Sequence, residues 1–213
     1  MNPVGHLGEL RRVAGRRALR LRALVDPVGV PVSTQEDRLV AFVTIEALNL
    51  WSSFARSFFL SCVFKARRES GARVSHSQGS LVTTELALTF AIRVMKPSKP
   101  GSGPWQRRDE PTWFDVQTLL KLFPALGASN AAQVVSAFSY PTKVFQHLPT
   151  ARNFFAHRNV ETSGKVSAIA RAYSVAIARR ASDVFCSRSP ARPQSVLADW
   201  LDDIRNVVDI MCQ

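Results

Sequence analysis

Hydrophobic residues recur at helical spacing along most of this chain. From Thr34 to about Phe64 they return every three or four positions, which predicts one long helix. The same pattern predicts further helices at Leu81–Met95, Phe114–Phe123, Asn130–Phe138, Leu148 or Pro149 to Asn159, Thr162 to about Arg180, and Gln194–Met211. No segment resembles a strand hairpin. We therefore expect an all-α fold, an antiparallel bundle of about six or seven helices.

Local signals set several expected helix ends. Gly127, with Pro124 before it, should end one helix, and Ser129 should cap the next. Proline fits the first turn of a helix, so Pro149 should lie near a helix start. Asn159 can adopt the left-handed conformation that closes a helix.

The first 35 residues differ in composition from the rest. Arginines are spaced there among leucines, which is typical of a basic amphipathic helix or of a mobile arm. An organelle transit peptide is also Arg-rich, but Glu9, Asp26 and the prolines at 27 and 31 fit that interpretation poorly. We expect a basic extension at residues 1–35 and one helical domain at residues 36–213.

Charge and cysteine content narrow the class of protein. The chain has 28 Lys and Arg against 16 Asp and Glu, a formal net charge of +12, which favours a polyanionic partner such as nucleic acid. The cysteines Cys62, Cys186 and Cys212 show no paired spacing, so neither a zinc site nor a disulfide framework is expected. No apolar run reaches the about 18 residues of a membrane span, and no apolar signal core is visible. These features predict a cytoplasmic protein.

One polar stripe runs along the long predicted helix. Glu46, Asn49, Ser53 and Arg56 are spaced three or four residues apart and share one face. Such a stripe is either an ordinary solvated face or the lining of an internal groove or interface.

The segment from Arg152 to His157 brings three functional groups into little more than one helical turn. Arg152 offers a fixed cation, Asn153 a neutral amide, and His157 a proton carrier near neutral pH. Together they are suited to a phosphodiester, with proton transfer by His157 and charge neutralisation by Arg152. The alternative is a solvated helix end, where His157 and Arg158 interact favourably with the helix dipole. His147, a turn or more earlier, is expected to be a capping or surface residue.

The segment Ala151–Asn159, with Arg, a polar residue and His after four intervening positions, resembles the signature of the HEPN superfamily (higher eukaryotes and prokaryotes nucleotide-binding). Members of this superfamily are compact antiparallel helical bundles with the Arg and His on a late helix. The resemblance covers the motif and the helical layout from about residue 36 to residue 213.

The resemblance implies a metal-independent endoribonuclease without cofactor, in which a 2′-hydroxyl attacks its own phosphate. His157 would be the acid or base, Arg152 the phosphate clamp and Asn153 an orienting donor. It also implies a homodimer that brings two motifs into one cleft. Like charges in such a cleft need compensation, and Glu46 on the polar stripe is our candidate for that acid. Further candidates for substrate binding or support are Asn49, Arg56 and Arg158.

Many prokaryotic members are toxins or defence effectors controlled by an inhibitory partner protein. Two alternatives to the nuclease stay open. One is a non-catalytic HEPN-like protein that binds nucleotide or RNA or acts as a scaffold. The other is a basic helical DNA-binding protein, although no helix-turn-helix or zinc-finger pattern is visible.

Overall fold

The computed structural model describes residues 1–97, 106–175, 179–189 and 192–213. Within these residues the regular structure is nine α-helices and a 3₁₀ helix at Arg107–Asp109, with isolated β-bridges and no β-strand. The helices are α1 (Leu7–Val25), α2 (Thr34–Val63), α3 (Thr84–Met95), α4 (Val116–Leu126), α5 (Ala131–Phe138), α6 (Val144–His157), α7 (Val160–Ala172), α8 (Ala181–Cys186) and α9 (Val196–Cys212). The prediction of an all-α fold is confirmed.

Two helices of the described residues account for the excess over the predicted six or seven. α1 lies in the predicted N-terminal extension, and α8 has only 6 residues, too few to show a helical period. In addition, α7 is shorter than predicted, because it ends at Ala172 and Tyr173 forms its C-cap. Residues 176–178, which belong to the predicted end of this helix, lie outside the described residues.

The chain forms two compact units. The first comprises Met1–Ala14, Trp51–Pro141 and Val207–Gln213, and the second comprises Gly15–Leu50 and Thr142–Asn206. Neither unit ends near residue 35. The separation of residues 1–35 from residues 36–213 stays a prediction.

The first unit has an aromatic core. Phe58 stacks on Phe54 at a centroid distance of 5.6 Å and on Phe123 at 5.3 Å. Phe59 lies 5.6 Å from the ring of Trp113. All five rings are buried, and their contacts join the second half of α2 to α4 and to the segment before it.

The helix ends around residue 127 match the sequence signals only in part. Gly127 takes the left-handed conformation (φ 63°, ψ 37°) and caps α4, as predicted. Pro124, however, lies inside the last turn of α4 and does not end it. α5 has Asn130 at its N-cap, and the hydroxyl of Ser129 instead accepts a hydrogen bond from the Ser75 N–H.

The core of the second unit holds the helix that bears the motif. The ring of Phe185 in α8 lies 5.5 Å from Phe155 in α6 and 5.7 Å from Trp200 in α9. α6 also packs against α7, and α7 against α8. One face of α6 is therefore packed against apolar residues, and the opposite face is exposed.

The long helix α2 has almost the predicted bounds. It was expected from Thr34 to about Phe64 and spans Thr34–Val63, the longest described helix at 30 residues. Polar residues interrupt its apolar positions on almost every turn. Among the described residues no helix has the length and apolarity needed to cross a membrane.

α1 is an amphipathic helix with a fully buried apolar side. Its buried residues recur at three- and four-residue intervals: Leu7, Leu10, Ala14, Ala18, Leu21 and Val25. On another face Arg12, Arg16 and Arg20 follow each other at four-residue intervals, and all three are exposed. The segment therefore forms the amphipathic helix and not the mobile arm.

Candidate functional site

The motif lies in α6, which begins earlier than predicted. The helix starts at Val144, so Pro149 occupies its sixth position instead of its first turn. A proline there removes one backbone N–H donor. Val144 and Leu148 are buried one helical turn apart, and their packing stabilises the turn that precedes the proline.

A sharp corner follows the motif. Arg158, not Asn159, adopts the left-handed conformation (φ 45°, ψ 45°) that closes α6. Asn159 instead opens α7 through a capping box: its Oδ1 accepts from the Thr162 N–H at 2.8 Å, and the Thr162 hydroxyl accepts from the Asn159 N–H at 3.1 Å. The predicted role of Asn159 was therefore wrong by one residue, and α7 begins directly after the corner.

The three motif side chains reach solvent from the last two turns of α6. Arg152 is half-buried, whereas Asn153 and His157 are exposed and lie one turn apart on the same face. An Nη atom of Arg152 donates a long hydrogen bond of 3.4 Å to Oδ1 of Asn153. The side chain of His157 has no hydrogen bond or ion pair with any described residue. Its ring is accessible to a ligand.

Arg152 and His157 do not share one face of the helix. His157 follows Arg152 by five positions, which places their Cα atoms about 140° apart around the axis and about 7.5 Å apart along it. Between them, Phe154 and Phe155 point inward and are 9% and 7% exposed. A phosphate bound by both groups must therefore lie toward the end of α6, within reach of the long Arg152 side chain.

Arg158 is held by an acidic residue that the sequence did not identify as part of the site. One of its Nη atoms lies 2.6 Å from Oδ2 of Asp37 in the first turn of α2. Its guanidinium also lies 5.4 Å from the ring centroid of Phe155 and 6.0 Å from that of Phe154. Arg158 thus stabilises the corner, and its charge is compensated within the same chain.

The candidate supporting residues on α2 are engaged elsewhere. Glu46 accepts from Arg17 at 3.1 Å and from the side-chain amide of Asn49 at 2.9 Å. Arg56, in the first compact unit, forms a bidentate pair with Glu110 at 2.7 and 3.1 Å. No hydrogen bond or ion pair between described residues joins any of the three to the motif. Their roles in substrate binding, and that of Glu46 as the compensating acid, stay predictions.

A second group of polar residues, which the sequence did not indicate, lies inside the second unit. His147 is half-buried rather than at the surface, and its ring centroid lies 5.6 Å from that of Tyr173 and 6.4 Å from that of Trp200. Its Nδ1 is buried without a hydrogen-bond partner among the described residues. Burial, and to a smaller extent the charge of Lys143, lowers the pKa of His147.

Two carboxylates on α9 belong to the same group of polar residues as His147 and Tyr173. Asp203 accepts a 2.5 Å hydrogen bond from the hydroxyl of Thr142, and Asp199 lies 3.5 Å from Nε of Arg192. Burial raises the pKa of both carboxyl groups. These contacts attach the segment before α6 and the segment before α9 to α9, so we interpret the group as structural support for α6.

The described residues contain no cluster of three His, Cys, Asp or Glu side chains that could hold a metal ion. Comparisons with family models, with curated proteins and with solved structures gave no match. The likeness to the HEPN superfamily therefore rests on the motif at residues 152–157 and on the all-α fold.

Proposed function

We propose that this protein is an HEPN-type endoribonuclease whose catalytic residues are Arg152, Asn153 and His157. The observation that supports this function best is the state of these side chains. They project from the last two turns of one helix, two of them are exposed, and the side chain of His157 has no partner among the described residues. Asn153 and His157 are not used in the packing of the core, so both are accessible to a substrate.

The proposed reaction needs no nucleophile from the protein. The 2′-oxygen of the RNA attacks the adjacent phosphorus, the bond from phosphorus to the 5′-oxygen breaks, and the proton of the 2′-hydroxyl is passed on to the 5′-oxygen. His157 transfers protons, and Arg152 stabilises the charge that develops on the phosphate oxygens. Asn153 orients Arg152 through their hydrogen bond. The products are a 2′,3′-cyclic phosphate and a 5′-hydroxyl.

We propose that the active form is a homodimer. One histidine handles removal and delivery of a proton less well than two, and a second copy of α6 would supply the second His157 and Arg152. In each subunit Asp37 already compensates Arg158, so the excess charge in such a cleft comes from Arg152 alone when His157 is neutral. The bound phosphate would relieve it.

The substrate, the partner and the cellular role that we propose follow from the net charge and from the resemblance to the HEPN superfamily. A net charge of +12 suits an RNA substrate and an acidic inhibitory partner. The net charge and the resemblance both fit a cytoplasmic toxin or defence effector that such a partner inhibits. Co-purification of the untagged chain with an acidic protein that blocks cleavage would test this part of the proposal.

The decisive experiment is RNA cleavage in EDTA by the wild type and by His157→Ala and Arg152→Ala. We expect a loss of at least about a hundredfold for each substitution, the usual effect of removing a proton-transfer or charge-stabilising group. Gln146→Ala is the matched control, since Gln146 is exposed on the same helix and outside the motif. The 3′ ends of the products should resist phosphatase until the cyclic phosphate is opened.

Two results would contradict the proposal: cleavage that survives both substitutions, or cleavage that EDTA abolishes.

The exposed row Arg12, Arg16 and Arg20 on α1 supports a second function, RNA binding without cleavage. That function would be indicated by salt-sensitive RNA binding in a protein that cleaves none of a diverse set of RNAs.

A further inference from the structure

A cleft of about 360 Å³ lies between α7 and α8, in the second compact unit. Its floor is apolar and consists of Val166, Ala170 and Val184. Its rim is strongly cationic, with Arg171 from the last turn of α7 and with Arg179 and Arg180 from the segment just before α8. The cleft is separate in sequence from the motif on α6.

The charge of this rim is not neutralised locally. Arg171 and Arg179 have no side-chain hydrogen bond or ion pair with any described residue. Arg180 donates only a long bond of 3.4 Å to the Val32 carbonyl, which carries no charge. No carboxylate is among the described residues that line the cleft. Three arginines therefore line one concave site, and no ion pair within the described residues neutralises them.

A buried carboxylate fixes the backbone from which two of these arginines project. Asp183 is fully buried and accepts hydrogen bonds from the backbone N–H groups of Val32 (2.8 Å), Arg179 (3.0 Å) and Arg180 (2.9 Å). Because its oxygens are occupied by backbone donors, it does not bind the guanidinium groups. The backbone at Arg179 and Arg180 is thus fixed, and both side chains are exposed.

The remaining wall offers hydroxyl groups. Ser163 and Ser167 stand one turn apart on the face of α7 that lines the cleft. The Ser167 hydroxyl donates to the Ser163 carbonyl at 3.3 Å, and the Ser163 hydroxyl has no partner among the described residues. Planar cationic donors combined with a hydroxyl donor are suited to phosphate oxygens, which guanidinium groups bind in a bidentate manner.

We propose that this cleft binds a terminal phosphate or diphosphate group carried on a small organic body. The three arginines and Ser163 would hold the anion, and the apolar floor would accept the body attached to it. The volume accommodates a ligand of that size but not a folded macromolecule. This site is independent of the ribonuclease proposal, because none of its residues belongs to α6.

The test is calorimetric titration of the full chain with inorganic pyrophosphate, adenosine monophosphate and adenosine. The two phosphate-bearing probes should bind, more weakly as salt is added, and adenosine should bind at least about tenfold more weakly than its monophosphate. The double variant Arg171→Ala/Arg179→Ala should lose about a hundredfold in pyrophosphate affinity, about tenfold for each charge-assisted contact.

The matched control is Arg16→Ala/Arg20→Ala, which removes the same charge from exposed positions of α1 in the same unit. It should leave the affinity within about twofold, since long-range effects between exposed charges are screened. Absence of pyrophosphate binding by the wild type, or equal losses in both double variants, would overturn the proposal. If the cleft double variant fails to fold, Arg171→Ala alone should still weaken binding about tenfold.

Competition distinguishes two sources of the phosphate. In a His157→Ala background, short RNA with and without a 5′-phosphate is added to the pyrophosphate complex. Displacement by the phosphorylated strand alone identifies an RNA end as the ligand, and displacement by neither identifies a free small molecule. Equal displacement by both strands would show backbone binding and would contradict recognition of a terminal phosphate.

Discussion

The contact between Asp37 and Arg158 allows the sharpest test of how the motif is held. Asp37 lies at the start of α2, and Arg158 is the left-handed residue that closes α6 directly after His157. Asp37→Asn removes the negative charge and keeps the shape of the side chain. We expect this substitution to destabilise the protein and to loosen the end of α6.

The distance between the two groups and the exposure of their side chains determine the expected coupling energy. The two charged groups are 2.6 Å apart, with the Asp37 side chain 14% exposed and the Arg158 side chain 45% exposed. Exposed ion pairs contribute about 0.2–1 kcal/mol, whereas breaking a buried pair costs about 3–5 kcal/mol. With one partner largely buried and the other half in solvent, we expect a coupling energy of about 1–2 kcal/mol.

A double-mutant cycle measures this coupling directly. Urea denaturation of the wild type, Asp37→Asn, Arg158→Gln and the double variant gives four free energies of unfolding. The contact of Arg158 with Phe155 is lost in both variants at position 158 and therefore cancels. The pair Glu161–Lys165 is the matched control, since it has the same 2.6 Å separation but side chains 74% and 58% exposed.

The cycle also has a clear negative result. A coupling within about 0.3 kcal/mol of zero, the usual error of additivity, would refute the assignment of Asp37 as the anchor of the corner. The same would follow if the exposed control pair showed an equal or larger coupling. RNA cleavage by Asp37→Asn then reports on function: if the anchor positions His157, the cleavage rate should fall at a temperature where the variant stays folded.

Three further outcomes follow from other parts of the structure. Gly127→Ala should cost at least about 2 kcal/mol in urea denaturation, because a Cβ there would lie 2.6 Å from Oγ of Ser77 and φ is 63°. Burial lowers the pKa of His147 below 6.5, so the folded state binds its proton less readily than the unfolded state; stability should be full above about pH 6.5 and fall below it, and His147→Phe should lessen that fall. Burial raises the pKa of Cys62 and of Cys186 to about 12, so neither thiol should react with a thiol reagent at about pH 8 until urea unfolds the chain.

Each of these outcomes has a control and a contradicting result. Ser77→Ala should recover part of the loss in Gly127→Ala, and no recovery would exclude the steric cause. An acid limb unchanged in His147→Phe would show that groups other than His147 determine the fall; the carboxyls of Asp199 and Asp203 are not among them, because their raised pKa favours the folded state as pH decreases. Rapid labelling of the folded protein would mean that the buried cysteines are reached by local opening.

Helix content was predictable where the apolar repeat is long and uninterrupted. α2 matched its expected bounds almost to the residue because thirty positions of consistent periodicity outweigh any single signal. The start of α6 was missed because Pro149 dominated the local pattern, whereas the buried pair Val144 and Leu148 determines where the helix begins. The short α8 offers too few residues for a period and depends on the buried Asp183.

The candidate site was predictable only as far as it is local. One helix carries Arg152, Asn153 and His157, as the spacing required. The Asn-x-x-Thr pattern at Asn159 and Thr162 is a local signal for the capping box that opens α7. Asp37, by contrast, is separated from its partner Arg158 by 121 positions, and only the tertiary fold brings the two together.

The corner at Arg158 also limits how the motif can move. Only residues 158 and 159 separate α6 from α7, one in a left-handed conformation and the other locked in a capping box, so the connection has no slack. A shift of α7 must therefore be transmitted to His157, and a shift of His157 to α7. Lengthening this joint by a single flexible residue would uncouple the two helices while leaving every side chain of the motif in place.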